Sequence, residues 1–143
     1  MQQSEFKHVY HMNVRWGDQD ILGHVNNVQL LRYIECGRIA YCSEVLNLDF
    51  VPQLKVGWIL ADIQCSFYSQ LRFPSAITVA TRFIKMSNSS AHLEAAIFLD
   101  ANKRAIVISR AVVVWFDFAK QKSERIPDVI RRKILRYEQM TLL

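Results

Sequence analysis

Apolar and polar residues alternate along the first part of the chain. Phe6, His8, Tyr10, Met12, Val14 and Trp16 fall at every second position, with more polar residues between them. A period of two predicts a strand with one face buried. From Gly17 to Gly23 the alternation gives way to a loop. From Asn27 to Leu46 the spacing becomes helical, with Leu30, Leu31, Ile34, Gly37, Tyr41 and Val45 on one side. Asn26 or Asn27 is a natural N-cap for this helix. Gly37 interrupts an otherwise favourable run, and a glycine there predicts close approach of another backbone. With Cys36 and Ala40 it forms a small-residue face that lets the helix lie tightly on a sheet.

After Pro52 the pattern is strand-rich. Gly57 to Gln70 places Ile59, Ala61, Ile63, Cys65 and Phe67 on one face. Ala76 to Met86 follows, then Ala91 to Leu99 with Leu93, Ala95, Ile97 and Leu99 on one face. Arg104 to Phe118 closes the set through Ile106, Ile108 and the run Val112 to Phe116. The breaks at Arg72-Phe73-Pro74, Ser87-Asn88-Ser89-Ser90 and Asp100-Ala101-Asn102 are short, which favours antiparallel neighbours over parallel crossovers. Ile126-Pro127 then opens a final helix. One long apolar helix and a single sheet predict an α+β fold in which the sheet curls around the helix. Such a sheet keeps a second face and free edges, so chains are expected to associate.

Composition narrows the class. The 143 residues suit one domain spanning 1–143. Apolar residues at 51% and charged residues at 22% are globular proportions. No apolar run is long enough to span a bilayer, and Met1 to Glu5 carries no signal-peptide pattern. Cys36, Cys42 and Cys65 are odd in number and lack Cys-x-x-Cys spacing, which predicts a cytoplasmic protein without a disulfide framework or zinc site. The net charge of +5 comes from a late surplus at Lys120, Lys122, Arg125, Arg131, Arg132, Lys133 and Arg136. Phosphate-bearing ligands suit such a surplus. No nucleic-acid-binding motif accompanies it, so a solvated helical surface is the plainer reading for most of these residues.

The candidate chemistry lies in Trp16-Gly17-Asp18-Gln19-Asp20-Ile21-Leu22-Gly23-His24-Val25-Asn26-Asn27. Two carboxylates, a histidine and two amides surround a turn between a strand and a helix. The exposed N–H groups of a helix N-terminus hold a negatively charged oxygen well. A carboxylate beside such a site equips a hydrolase that attacks carbonyls. Asp20 suits a nucleophile or general base, against the plainer role of an Asx-turn residue. Asp18 reads mainly as a structural loop residue. Were both carboxylates to face one pocket, repulsion would raise one pKa. His24 orients Asp20, binds substrate or serves structure. Glu35 lies inside the helix, where Arg38 or Arg32 can pair with it. A calcium loop is excluded, because Leu22 offers no oxygen and Gln29 stands where the bidentate glutamate belongs. Cys36 and Cys42 read as packing residues, and the absence of Gly-x-Ser-x-Gly argues against an α/β-hydrolase.

Asp18-x-Asp20-x-x-Gly23-His24-x-Asn26-Asn27 after a strand and before a helix resembles the hydroxybenzoyl-CoA thioesterase family, acyl-CoA hydrolases of the hotdog fold. Tyr33-x-Glu35-x-x-Arg38, the turn from Lys85 to Ser90, the closing strand Val112 to Phe118 and Arg125-Ile126-Pro127 extend the resemblance over essentially the whole chain. It implies a sheet wrapped around the Asn27–Leu46 helix, two chains joined into a continuous sheet, and an active site at their interface in a homodimer or homotetramer. It implies that Asp20 carries the chemistry and that backbone N–H groups at the start of the helix polarise the thioester carbonyl. Gly23, His24, Val25, Asn26 and Asn27 are then substrate-binding, and Glu35 is a backup catalytic carboxylate. Lys85, Ser89 and Ser90 suit the phosphates of coenzyme A, and Tyr33, Phe50, Trp58 and Tyr68 are candidates for an acyl pocket or for core. The substrate is an acyl-CoA or aryl-CoA, and no cofactor, metal or nucleic acid is expected. Asn88 stands where many relatives have glycine, and asparagine tolerates the left-handed conformation such a turn needs. A non-catalytic acyl-CoA-binding module and a hotdog hydratase or dehydratase are the competing readings. The intact Asp20 and its Gly23-His24 turn favour hydrolysis.

Overall fold

In the computed structural model, which describes residues 1–141, the two periodicities become one sheet and one long helix. The elements run β1 (His8–Asn13), α1 (Asn27–Leu46), β2 (Val56–Phe67), β3 (Ala76–Met86), β4 (Ser90–Leu99), β5 (Ala105–Asp117), a short β6 (Lys122–Ser123) and α2 (Asp128–Glu138). The five main strands lie in the order β1-β3-β4-β5-β2, every pair antiparallel. The sheet curls around α1 in the hotdog arrangement.

The ends of α1 are fixed by asparagines. The Asn26 side chain accepts a hydrogen bond from Val28 N–H at 2.9 Å, and Asn47 ends the helix in the left-handed conformation at φ 55°. Leu30, Tyr33 and Ile34 pack on Val79, Ile97 and Val107 in one core layer. Tyr41, Cys42 and Leu46 pack with Trp58, Trp115 and the α2 residues Ile130 and Ile134 in the next. Gly37 sits where α1 comes closest to β3. A Cβ there would stand 2.5 Å from Val79 Cγ1 and 3.2 Å from Thr81 Oγ1. The neighbour that demands glycine is thus a pair of β3 side chains, not another backbone.

Two strands depart from simple alternation. Trp16 breaks the β1 pattern and is 72% exposed, because the chain enters a tight turn at Trp16–Asp18. In β2 the register against β5 shifts between Leu60 and Asp62, so one residue bulges. The bulge reverses which side chains face the helix. Trp58 is buried before it and Cys65 packs on the core after it, whereas Ile59 and Ala61 do not share the Cys65 face. The continuous face from Ile59 to Phe67 expected from the sequence is therefore broken in two.

The second helix closes the far end of the molecule. Lys133 Nζ donates to Leu46 O at 3.1 Å, occupying a carbonyl at the end of α1. Arg131 Nη2 donates to Ser87 O at 2.9 Å and Asn88 O at 3.1 Å, pinning the β3–β4 turn. Among the described residues no helix is long and apolar enough to cross a membrane.

Candidate active site

The loop between β1 and α1 is held by its own backbone. Asp20 N–H donates to His24 O at 2.9 Å, and Gly23 N–H donates to Asp20 O at 3.0 Å. Gly23 adopts φ 81°, a conformation that L side chains avoid. Asn26 N–H donates to Asp18 O at 3.3 Å and Val25 N–H to Leu71 O at 2.7 Å, which ties the loop to the segment after β2. Val25 itself is buried in the core.

Asp18 turns inward and is only 8% exposed. Its Oδ2 accepts from Tyr33 Oη at 2.5 Å and from Arg15 Nε at 3.4 Å. The Tyr33 hydrogen bond, with help from the Arg15 charge, holds the Asp18 carboxyl below the usual carboxylate range despite its burial. Burial, followed by the neighbouring Asp18, pushes the Tyr33 phenol up. Asp18 is thus a structural anchor, and the repulsive pair of carboxylates in one pocket does not form.

Asp20 turns the other way, into a cleft of about 380 Å³ lined by His24, Val25, Asn27, Leu30 and the segment Phe67 to Leu71. Its Oδ1 accepts from Leu22 N–H at 2.8 Å, an Asx-turn contact. Oδ2 has no hydrogen-bond partner among the described residues. Turn formation and a free carboxylate oxygen therefore coexist in one residue. The backbone donors sort themselves similarly. The N–H groups of Gly23, Val25, Asn26 and Val28 all have acceptors, while those of His24 and Asn27 have none among the described residues. Both residues line the cleft, and Asn27 is the first residue of α1, at the positive end of the helix dipole.

The other expected residues are not gathered here. Glu35 lies eight residues along α1 from Asn27, about 12 Å at 1.5 Å per residue. It pairs loosely with Arg38 at 3.9 Å and lines a different pocket. Lys85, Ser89 and Ser90 sit at the opposite end of the sheet, since the whole of β3 separates their turn from the Asp20 loop, roughly 30 Å. Within that turn Ser89 O accepts from Trp115 N–H at 2.7 Å and Ser90 O from Ser87 N–H at 2.8 Å. Asn88 is not among the residues with positive φ, so no left-handed position is needed there. Tyr33 is core, as one of its two expected roles had it, and its hydroxyl also holds Asp18, which the sequence pattern does not reveal. Tyr68, expected in an acyl pocket or the core, lines the cleft, but with Ser69 to Leu71 it lies beyond the end of β2, where the sequence predicts strand as far as Gln70. Among the described residues no group of three or more His, Cys, Asp and Glu side chains is placed to hold a metal.

A family model described as the Thioesterase-like superfamily matches residues 14–134, from the end of β1 through most of α2. The chain belongs to that superfamily. It is a thioester hydrolase by class. Among solved structures, the PA5185 protein of Pseudomonas aeruginosa is 26% identical, with a TM-score of 0.86 over 95% of this chain and 94% of that one. The PA2801 protein of the same organism is 28% identical, with a TM-score of 0.82 over 90% and 98%. A thioesterase of Thermus thermophilus, solved in complex with coenzyme A and zinc, shares the fold at 23% identity, with a TM-score of 0.82 over 98% and 100%.

Proposed function

We propose that this thioesterase hydrolyses acyl- or aryl-CoA thioesters, with Asp20 as nucleophile or general base and the Asn27 and His24 N–H groups as oxyanion donors. One observation carries the reading. Asp20, whose Oδ2 has no partner, and His24 and Asn27, whose N–H groups have no acceptors among the described residues, line one cleft at the N-terminus of α1. The thioester carbonyl oxygen sits at the Asn27 N–H. Asp20 Oδ2 attacks the carbonyl carbon, or takes a proton from an attacking water. The donors hold the oxyanion as it forms, at about 3 kcal/mol for each. The intermediate collapses by expelling the thiolate, a better leaving group than an alkoxide or amide ion that needs little acid help; a simple cysteine-like thiol has a pKa of about 8.5. In the nucleophile route this leaves an acyl-Asp20 anhydride, which water hydrolyses to restore the carboxylate; in either route one water is consumed and the products are a carboxylic acid and the coenzyme thiol. A hotdog thioesterase solved with coenzyme A bound supports CoA as the carrier.

The reading includes a dimer. Among the described residues the outer edge of β2 has no strand partner, and Leu60 and Phe67 along it and Tyr68 just beyond it are exposed. Two copies joined about a two-fold axis at the middle of this edge run antiparallel. That pairing sets the Trp58–Leu60 end of one chain beside the Asp20 cleft of the other. It also carries the second copy's Lys85, Ser89 and Ser90 to the end of the sheet where they can meet the phosphates of the coenzyme.

The test is thiol release from a panel of acyl- and aryl-CoA thioesters, with the mass measured by sedimentation. Turnover of at least one thioester by a dimer or tetramer is expected. A panel without thiol release overturns the activity, and an active monomer overturns the composite site.

A further inference from the structure

A second pocket, of about 290 Å³, lies between α1 and the N-terminal half of β2. That volume is at the low end for small-molecule sites. Its inner wall is apolar and includes Phe83, Leu93 and Val113. One cation interrupts this wall. The Arg38 side chain is 15% exposed, and Glu35, at 3.9 Å, is its one charged contact among the described residues. That separation is beyond hydrogen-bond reach. A guanidinium carries five N–H donors in a planar fork and cannot shed its charge. Trp58, also in the wall, keeps its Nε1 buried beneath the pocket surface, without an acceptor among the described residues. Behind Arg38 lies a separate void of about 10 Å³ lined by Thr81 and Ser109, whose buried hydroxyls lack partners among the described residues. The Arg38 guanidinium is thus a charged donor short of acceptors, set in a hydrocarbon-like wall.

The group that meets both demands is a carboxylate at the end of an apolar segment. It accepts two parallel hydrogen bonds from a guanidinium, while its hydrocarbon stem fills the apolar wall. We propose that the pocket holds the distal carboxylate of the acyl group, so that the preferred substrates are mono-thioesters of dicarboxylic acids. This rests on the composite site described above, in which this pocket of one copy adjoins the Asp20 cleft of the other. Glu35 is the one like charge facing the bound carboxylate from α1. It is 46% exposed at the mouth, where water and salt screen it. Removing its charge therefore strengthens binding.

Two readouts test this and keep it apart from the activity. Calorimetry compares 4-phenylbutyrate with 4-phenylbutan-1-ol, a pair that differs in the terminal group. At least tenfold tighter binding of the acid is expected, with the preference lost in Arg38→Met, retained in part in Arg38→Lys and enlarged in Glu35→Gln. Equal binding of acid and alcohol, or a preference that survives Arg38→Met, overturns the proposal. Thiol release then compares adipoyl-CoA with hexanoyl-CoA. A kcat/KM ratio of at least ten in favour of adipoyl-CoA is expected, falling toward one in Arg38→Met. A ratio of one in the wild type overturns the substrate class while leaving the hydrolase standing. Acid preference without release from either thioester leaves the carboxylate site standing and overturns the dicarboxylate substrate class.

Discussion

Tyr33→Phe isolates the contact that holds the loop between β1 and α1 to the central helix. The substitution removes one oxygen and keeps the ring, so the packing of a residue 1% exposed is preserved. What is lost is the hydrogen bond from Tyr33 Oη to Asp18 Oδ2 at 2.5 Å, with a mostly buried carboxylate as acceptor. Hydrogen bonds to charged groups contribute about 1.5–3 kcal/mol, so a loss of about 2 kcal/mol at pH 7 is expected. For a chain of 143 residues that corresponds to a fall in Tm of roughly 8 °C. The pH dependence has a definite sign. The carboxyl of Asp18 is held below its usual range in the folded state, chiefly by Tyr33. Its stabilisation is therefore present above the unfolded value of about 3.9 and disappears as pH falls through the folded one. The gap between wild type and variant should be widest near neutrality and narrow below about pH 4. Urea unfolding at fixed protein concentration, from pH 3 to 8, reads both quantities. A gap under about 0.5 kcal/mol at pH 7, or one constant across the range, refutes the anchoring role of this pair.

Other substitutions probe the backbone that presents the site. Gly23→Ala forces an alanine into φ 81°, costing about 1–2 kcal/mol, and should lower kcat/KM by displacing the Asp20 carboxylate; an unchanged kcat/KM would count against the turn's role in the site. Asn26→Ala removes the N-cap bond to Val28 N–H and should cost about 1 kcal/mol in chemical denaturation. Gly37→Ala drives a methyl to 2.5 Å from Val79 Cγ1. Overpacking of about 1–3 kcal/mol should exceed the gain of about 1 kcal/mol in helix propensity, and Val79→Ala in the same chain should recover part of the loss.

How far the sequence carries depends on whether the deciding contact is local. The bounds of α1 were legible because apolar spacing begins at an asparagine cap and the helix ends at Leu46 before a second asparagine. The extent of β3 was legible because short polar breaks bracket it. The reversal of faces in β2 was not, since a bulge between Leu60 and Asp62 is set by pairing with β5 and leaves no mark in the alternation. Asp18 and Asp20 show the same limit within the site. Both were visible as carboxylates on one turn. Which points inward depends on Tyr33, fifteen residues away on the buried face of α1. Lys85, Ser89 and Ser90 were assigned to the coenzyme phosphates by their chemistry, and the length of β3 puts them at the far end of the sheet from Asp20 of the same chain. Arg38 was read as half of a helical ion pair, because nothing local reveals the apolar pocket into which the fold places it. Among the late basic residues, Arg131 does more than face solvent, since it bonds the carbonyls of the β3–β4 turn.

The central claim is that Asp20 performs the chemistry while the helix terminus holds the oxyanion. The most direct measurement is kcat/KM for the best CoA thioester with wild type and Asp20→Asn, at matched mass and matched Tm. Asparagine keeps an oxygen for the Leu22 N–H and therefore preserves the turn, but it neither attacks a carbonyl nor takes a proton. A fall of at least about a hundredfold, with the fold and assembly unchanged, is the result the account predicts. An Asp20→Asn variant within a few-fold of wild type would contradict it and move the search for the catalytic carboxylate to Glu35.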